Sequence, residues 1–391
     1  MRVGLIGPAP PLRGGISAHT AGLHDALVVA GHDVHVVSYA RLYPQLIFPG
    51  SSERSDGVGR LGVDVLDTLD PASWRRGGRL LAGLACDAIV VEWWNPVVAP
   101  AVVACLSAQG RGTPRIFVCH NARPHESFPG WSLLTRWALG RADSLICHSQ
   151  AVRRELGRTV RALPAEVCPM PMLIDVGSPP GERAEARRRL GLPARGPIAL
   201  FLGHVRAYKG IDHLLAAWER ASLPADASLV IAGESYLGRR RLAAAVSRLA
   251  RRRSIRLIER FLTDDEIRDL LAAADVLVAP YSAASQSGTV PLALAAGLTV
   301  VASDAGGLAE PLAGRPGHHV YRAGDDGGLA GALAGALSLA GDARGRGTSG
   351  DAALRQSPGA ATSTARQASW APLVAACERL ARRVPARGAA R

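Results

Sequence analysis

The chain is expected to fold as an α/β protein made of two Rossmann-like units in tandem, each a doubly wound parallel sheet. Three observations predict this. Short runs of Val, Ile and Leu alternate with longer segments of helical periodicity, the pattern of parallel strands whose two faces are both covered by crossover helices. The series stops at a stretch rich in Pro, Gly and Arg, from Pro169 to Pro197, and then restarts. The chain has 391 residues, 48% of them hydrophobic, enough for two full cores.

In the first half the strands are read at Val3–Ile6, Asp33–Ser38, Val63–Leu66, Ala88–Glu92, Ile116–Cys119 and Leu145–His148. In the second they are read at Ile198–Leu202, Leu229–Ala232, Ile255–Ile258, Val276–Ala279 and Thr299–Ala302. The first unit is placed at 1–180 and the second at 195–345. Residues 346–367 are mostly Gly, Ala, Ser, Thr and Arg; with few large apolar side chains they read as a flexible low-complexity loop. Beyond it, Trp370, Leu373, Val374, Cys377 and Leu380 recur at helical spacing, so a final amphipathic helix is read over 368–384, its apolar stripe requiring cover from one of the units.

Formal net charge is +13, from 46 Lys and Arg against 33 Asp and Glu. An anionic partner follows, whether a phosphorylated substrate or a lipid surface. Nucleic acid is not expected, because aromatic residues are only 5% and no basic run is interleaved with Phe or Tyr. Cys86, Cys105, Cys119, Cys147, Cys168 and Cys377 show no C-x-x-C spacing and sit mostly in apolar runs, which fits a reduced cytosolic compartment. The first apolar run is too short for a signal peptide and reads as a strand. The longest apolar region, Leu80 to Leu106, is broken by Asp87, Glu92, Asn95 and two prolines, so it is not a membrane span. Membrane contact would be peripheral, at the inner face.

Lys209 is the single lysine among the 46 basic residues, and it follows the strand Ile198–Leu202 in the run Gly203-His204-Val205-Arg206-Ala207-Tyr208-Lys209-Gly210. A compact ammonium suits a point contact with phosphate, and the planar guanidinium of Arg206 suits bidentate recognition. The carboxyl ends of parallel strands are also where open α/β sheets bind ligands. Three small-residue loops open helices elsewhere: Gly14-Gly15, Gln286-Ser287-Gly288-Thr289, and Ser303 through Gly306-Gly307 to Glu310. Backbone amides at such helix starts cradle phosphate. The first loop is not G-x-G-x-x-G and no acidic residue ends the second strand, so a nicotinamide site is disfavoured. No D-x-D pair and no His/Cys cluster with metal spacing occurs, so neither a metal nor another cofactor is expected.

With these elements the chain resembles the family 4 retaining glycosyltransferases of the GT-B fold, nearly end to end. The resemblance is carried by the Gly14-Gly15 loop, His120-Asn121 ending a strand, Ala142-Asp143 before a strand ending His148-Ser149, the Arg206…Lys209-Gly210 pair and the Gly306-Gly307…Glu310 turn. Tyr43-Pro44…Phe48-Pro49-Gly50, Glu92-Trp93-Trp94-Asn95-Pro96 and His120-Asn121-Ala122-Arg123-Pro124-His125-Glu126 look like one branch of that family. It implies two domains around a cleft, a terminal helix opened by Ser369-Trp370 that packs back on the N-terminal domain, and transfer of a sugar from a nucleoside diphosphate donor to an acceptor hydroxyl with retention. The acceptor would be a glycan or lipid-linked glycan.

The resemblance also distributes roles. Arg206 and Lys209 would meet the charge of the leaving diphosphate, and His120 would lie near the anomeric carbon. Gly14, Gly15, Gln286, Ser287, Gly288, Thr289 and Glu310 would bind the donor. Asn121, His125 and Glu126 would face the acceptor, with Glu126 a candidate base. His19, His148 and His204 read at least as readily as buried or capping residues. The family pattern also has two glutamates eight positions apart around a Gly-rich loop, and here Ala284 to Leu292 holds no carboxylate. Sugar hydroxyls would then be read by Gln286, Ser285 or backbone groups. This departure keeps two alternatives open: a GT-B nucleotide-sugar epimerase or hydrolase, and a binding-only paralogue.

Overall fold

Strands with no polar face must lie between two helical layers, and both halves of the chain satisfy this requirement. The computed structural model describes residues 1–42, 54, 58–110, 112–124, 128–160, 163–176, 183–237, 241–345 and 363–383. The chain divides into two compact units, Met1–Leu173 with Gln367–Arg391, and Ile174–Arg366.

The first unit runs β1 (Arg2–Ile6), α1 (Gly15–Val29), β2 (Asp33–Arg41), β3 (Val63–Asp67), α2 (Pro71–Gly83), β4 (Ala88–Trp93), α3 (Ala99–Ser107), β5 (Arg115–Cys119), α4 (Trp131–Leu139), β6 (Ser144–Cys147), α5 (Gln150–Thr159) and β7 (Ala165–Val167). Its sheet has the order β3-β2-β1-β4-β5-β6-β7, with every pairing parallel. The two-residue period of the strands sorts side chains onto two faces. Ile89, Val91 and Trp93 join Phe117, Cys119 and Cys147 on one. Ala88 and Val90 join Ile116, Val118 and Ile146 on the other, under Leu23 and Leu27 of α1 and the terminal helix, Ser363–Arg383.

The terminal helix belongs to this face through Trp370, Leu373, Cys377 and Leu380. Trp370 Nε1 donates to the Met172 carbonyl (3.2 Å), Met172 N donates to Ser369 Oγ (3.0 Å), and Arg379 pairs with Glu166 (2.6 Å). The helix starts at Ser363 rather than 368, so residues 363–367, expected in the flexible loop, are helical. The rest of that loop, 346–362, lies outside the described residues. Gly22 of α1 makes room for the indole: a Cβ there would sit 2.1 Å from Trp370 Cζ2.

The second unit runs α6 (Arg183–Arg189), β8 (Ile198–Leu202), α7 (Ile211–Arg220), β9 (Ser228–Ala232), α8 (Arg241–Ser247), β10 (Ile255–Ile258), α9 (Asp264–Ala273), β11 (Val276–Ala279), α10 (Thr289–Ala295), β12 (Thr299–Ser303), β13 (His319–Tyr321) and α11 (Asp326–Gly345). Its parallel sheet has the order β10-β9-β8-β11-β12-β13. The stretch Pro169–Pro197, expected as a connection, contains α6. Arg187 of that helix is only 2% exposed, and its guanidinium bonds Asp275 (3.3 Å) and the Ala273 and Gly196 carbonyls (3.1 and 3.0 Å). Asp275 also accepts from Ile198 N (2.8 Å), so one carboxylate ties α6 to the starts of β8 and β11. The expected fold class holds; the sequence reading omitted only β7 and β13, three-residue strands at the sheet edges.

Trp370→Ala is expected to destabilise the protein by about 3–5 kcal/mol in denaturant titrations, the cost of truncating a buried aromatic. Gly22→Ala should destabilise the native protein through the clash with the indole and cost little when combined with Trp370→Ala, a coupling that a double-mutant cycle measures directly.

Candidate active site

In a doubly wound sheet the loops on either side of the strand-order reversal diverge and open a crevice at the carboxyl edge. In the second unit that point lies between β8 and β11. The loops following β8, β11 and β12 are knitted together there. Ser282 N donates to the Tyr208 carbonyl (2.9 Å), and Ser303 Oγ donates to the Tyr281 carbonyl (2.6 Å). Gly210 (φ 71°) and Gly306 (φ 55°) are required by this contact, since a Cβ would lie 1.8 Å from the Pro280 carbonyl oxygen at the first and 1.7 Å from that of Ala284 at the second.

Both cations expected at the site rest on tyrosine rings. Lys209 Nζ lies 3.9 Å from the ring centroid of Tyr281, and Arg206 Cζ lies 4.6 Å from that of Tyr236. Tyr281 is fully buried. Its hydroxyl lies 3.4 Å from Ser287 Oγ, which is 2.9 Å from Thr289 Oγ1 and accepts from Thr289 N (3.2 Å). Burial pushes the Tyr281 phenol up, but the Lys209 charge and hydrogen bonds with Lys209, Ser287 and Thr289 outweigh it and hold the phenol below its ordinary value. Lys209, Ser287 and Thr289 are therefore joined through a residue that sequence reasoning did not single out.

The other expected donor residues lie along the same edge. Gly288 precedes α10 as its cap. Gln286 is half-buried, and its side-chain oxygen is buried with no hydrogen-bond partner among the described residues. Glu310, half-buried, opens a 3₁₀ turn after Gly306-Gly307. His204 follows β8 with its ring 5.1 Å from Tyr236 and its Nδ1 buried with no partner among the described residues. Burial, and then the neighbouring Arg206, pushes its pKa down to about 4.

In the first unit the reversal lies between β1 and β4. Gly14 caps α1 with φ 116°, a conformation that calls for glycine, and among the described residues nothing packs within 4 Å of a Cβ at either Gly14 or Gly15. Glu92 interrupts the apolar run of β4 and is fully buried. It sits on the strand face that carries Val90, the face covered by α1. The same alternation carries His120 beyond Val118 and His148 beyond Ile146, while α1 brings His19. His19 Nδ1 donates to Glu92 Oε1 (2.9 Å) and His120 Nε2 to Glu92 Oε2 (2.5 Å). His148 Nδ1 donates to the Cys168 carbonyl (3.1 Å).

The three imidazole rings lie 4.6 to 5.2 Å apart, and Trp370 stands 5.0 Å from His19. Burial pushes the Glu92 carboxyl up, yet His19 and His120 together hold it well below the usual carboxylate range. Burial depresses the pKa of His120, and that of His148 strongly. Local spacing carries no trace of this cluster, because its members come from four separate elements. The one legible signal is a carboxylate inside an otherwise apolar strand.

Asn121 donates its side-chain amide to the Trp94 carbonyl (3.0 Å), so that nitrogen serves the loop. His125 and Glu126, expected at the acceptor, and Tyr43 to Gly50 lie outside the described residues. All six cysteines are free, five of them buried. Among the described residues no helix is long and apolar enough to cross a membrane.

Comparison with known proteins bears on this arrangement. Residues 13–177 match the family described as Glycosyltransferase Family 4, and residues 196–338 that described as Glycosyl transferases group 1. The alpha-maltose-1-phosphate synthase of Mycolicibacterium smegmatis is 32% identical over 54% of this chain and 59% of its own, so the chain spans less than two thirds of that relative. The Mycobacterium tuberculosis enzyme of the same name is 30% identical over 63% of this chain and 68% of its own. A D-inositol 3-phosphate glycosyltransferase of Streptomyces bingchenggensis is 35% identical over 46% and 41%. Among solved structures, a sucrose-phosphate synthase from Thermosynechococcus elongatus superposes with a TM-score of 0.72 at 19% identity, covering 97% of this chain and 98% of that one. HepE of Anabaena, in complex with UDP and glucose, gives 0.67 at 17% identity, covering 97% of each. At such identities the likeness is one of fold. The paired parallel sheets and the matches along both halves lead to one conclusion: the chain belongs to glycosyltransferase family 4, the glycosyl transferases group 1, and has the GT-B fold.

Proposed function

We propose that the protein is a retaining glycosyltransferase that moves a sugar from a nucleoside diphosphate donor to an acceptor hydroxyl on a glycan or lipid-linked glycan. The observation that carries this reading is the edge of the second sheet, where Arg206 and Lys209 are each held over a tyrosine ring and Lys209 connects through Tyr281 to Ser287 and Thr289. As the glycosidic bond breaks, negative charge grows on the departing diphosphate, and cations already fixed in place stabilise it without reorganisation. These cations take the part a divalent ion would play, so the transfer is read as metal-independent. The neighbour holding UDP and glucose, and relatives named as a glycosyltransferase and as a sugar-phosphate synthase, support the donor class.

Gln286, with its unsatisfied oxygen, is the side chain we assign to the sugar hydroxyls in place of the absent glutamates. Gly14, Gly15, Gly288 and Glu310 are assigned to the donor. His120 presents Nδ1 to the sugar or acceptor, since its Nε2 is engaged by Glu92. Asn121, His125 and Glu126 are assigned to the acceptor. The charge of +13 suits an acceptor at an anionic surface, and a cytoplasmic protein meeting the membrane peripherally is the setting we favour.

A panel of UDP-, GDP- and ADP-sugars, screened by thermal shift and then by product analysis, tests the reading; a donor at 100 times its Kd adds about 2.7 kcal/mol of stability. A glycosylated acceptor supports transfer. Isomerised or hydrolysed donor with no acceptor product replaces it with the epimerase or hydrolase, and tight binding without turnover replaces it with the binding-only paralogue.

Arg206→Ala and Lys209→Ala should each lower kcat by about a hundredfold or more (~2.7–4 kcal/mol) with the fold retained. Activity within about threefold of the parent at saturating donor, in both variants, would remove these cations from the leaving group. Gln286→Ala should reduce turnover, whereas Ser285→Glu should bring no gain, because the surrounding loop is not built to hold a carboxylate; steady-state kinetics of the pair reads both outcomes.

His204 supplies a pH dependence. Its folded pKa of about 4 lies below the ordinary 6.5, so between these values the unfolded chain binds a proton that the folded chain does not. Stability therefore rises with pH across that window. In His204→Gln the gap between urea midpoints measured at about pH 4.5 and about pH 7 should narrow.

A further inference from the structure

The hydrogen bonds of the buried histidine cluster determine which nitrogens remain free. A neutral imidazole that gives its one proton to an outer oxygen offers a lone pair from its other nitrogen. His19 Nδ1 and His120 Nε2 face the Glu92 carboxylate, and His148 Nδ1 faces the Cys168 carbonyl. That leaves His19 Nε2, His120 Nδ1 and His148 Nε2. The Nε2 atoms of His19 and His148 are buried with no hydrogen-bond partner among the described residues. Protonating either would not help, since the resulting N–H would lack a partner as well, and a buried polar group left unsatisfied is costly. One nitrogen from each of the three rings lies within 4.8 Å of one from each of the others.

We propose that His19, His120 and His148 form a binding site for a divalent transition-metal ion of the zinc type. Three imidazoles, each oriented through its second nitrogen by a carboxylate or carbonyl, make up a ligand set suited to such an ion, and the buried Glu92 carboxylate offsets part of its charge. Nitrogen ligands favour zinc and its first-row neighbours over magnesium or calcium. On an ion with bonds of about 2.0–2.1 Å the nitrogens lie about 3.4 Å apart, so the rings must draw in by less than about 1 Å. An ion here takes His120 Nδ1, the atom we assign to the sugar, so loading should slow transfer. Binding itself stands apart from the transferase reading.

The test uses untagged full-length protein, stripped with a chelator and equilibrated with Co²⁺ or Zn²⁺, with neither donor nor acceptor present. Failure here therefore leaves the transferase reading standing, and failure of that reading leaves this one. We expect about one ion per chain, visible d–d bands for nitrogen-ligated Co²⁺, and loss of those bands on adding Zn²⁺ but not Mg²⁺. His19→Ala and His148→Ala should each weaken binding by at least about tenfold, and His213→Ala, in the other unit, should not. A featureless Co²⁺ spectrum with substoichiometric metal overturns the proposal and leaves water as the occupant. Binding retained at parental strength in both cluster variants overturns it too, assigning the ion to surface histidines. Where a cluster variant fails to fold, the cobalt spectrum of the parent protein decides.

Discussion

A parallel sheet covered on both faces leaves few places for polar chemistry. Its faces are apolar, so buried polar side chains gather at the ends of the strands, and a crevice opens at the carboxyl edge where the crossovers part. Both units obey this constraint. Lys209, Tyr281, Ser287 and Thr289 meet beside the β8/β11 reversal, and Glu92 with its histidines sits beside the β1/β4 reversal. The strand order that builds each core also selects which loops can share a ligand.

The cost of removing an ion from water is offset by a compensating contact at Glu92, at the half-buried Lys209 and, at the opposite end of the second sheet, at Arg187. Glu92 is held by two imidazoles, Lys209 by a phenol ring, and Arg187 by Asp275 and backbone carbonyls. The tyrosines beneath Lys209 and Arg206 limit the positions those cations can adopt, which holds two positive charges near the carboxyl edge of the second sheet.

The glycine-rich loops show how one residue type answers two demands. Gly306 reads in the sequence as a phosphate-binding residue, yet its backbone passes so close to Ala284 that packing alone requires glycine. Gly15 is different: among the described residues nothing lies within 4 Å of a Cβ built there.

Eleven strands were legible because each carries a run or an alternation of Val, Ile and Leu, broken by single polar residues such as Asp64 in β3, Glu92 in β4 and Arg256 in β10. β7 and β13 were not, since three-residue edge strands are specified by the neighbour they pair with and carry little local pattern. Lys209 was legible from composition and from its place after a strand. Tyr281, its partner, follows a different strand, and only the β8–β11 pairing brings the two together. The histidine cluster divides the same way. Alternation along β4 determines by itself that Glu92 shares a face with Val90. That His19, His120 and His148 converge on that face depends on β1, β4, β5 and β6 lying side by side and on α1 crossing above them, which is long-range pairing that no local spacing encodes.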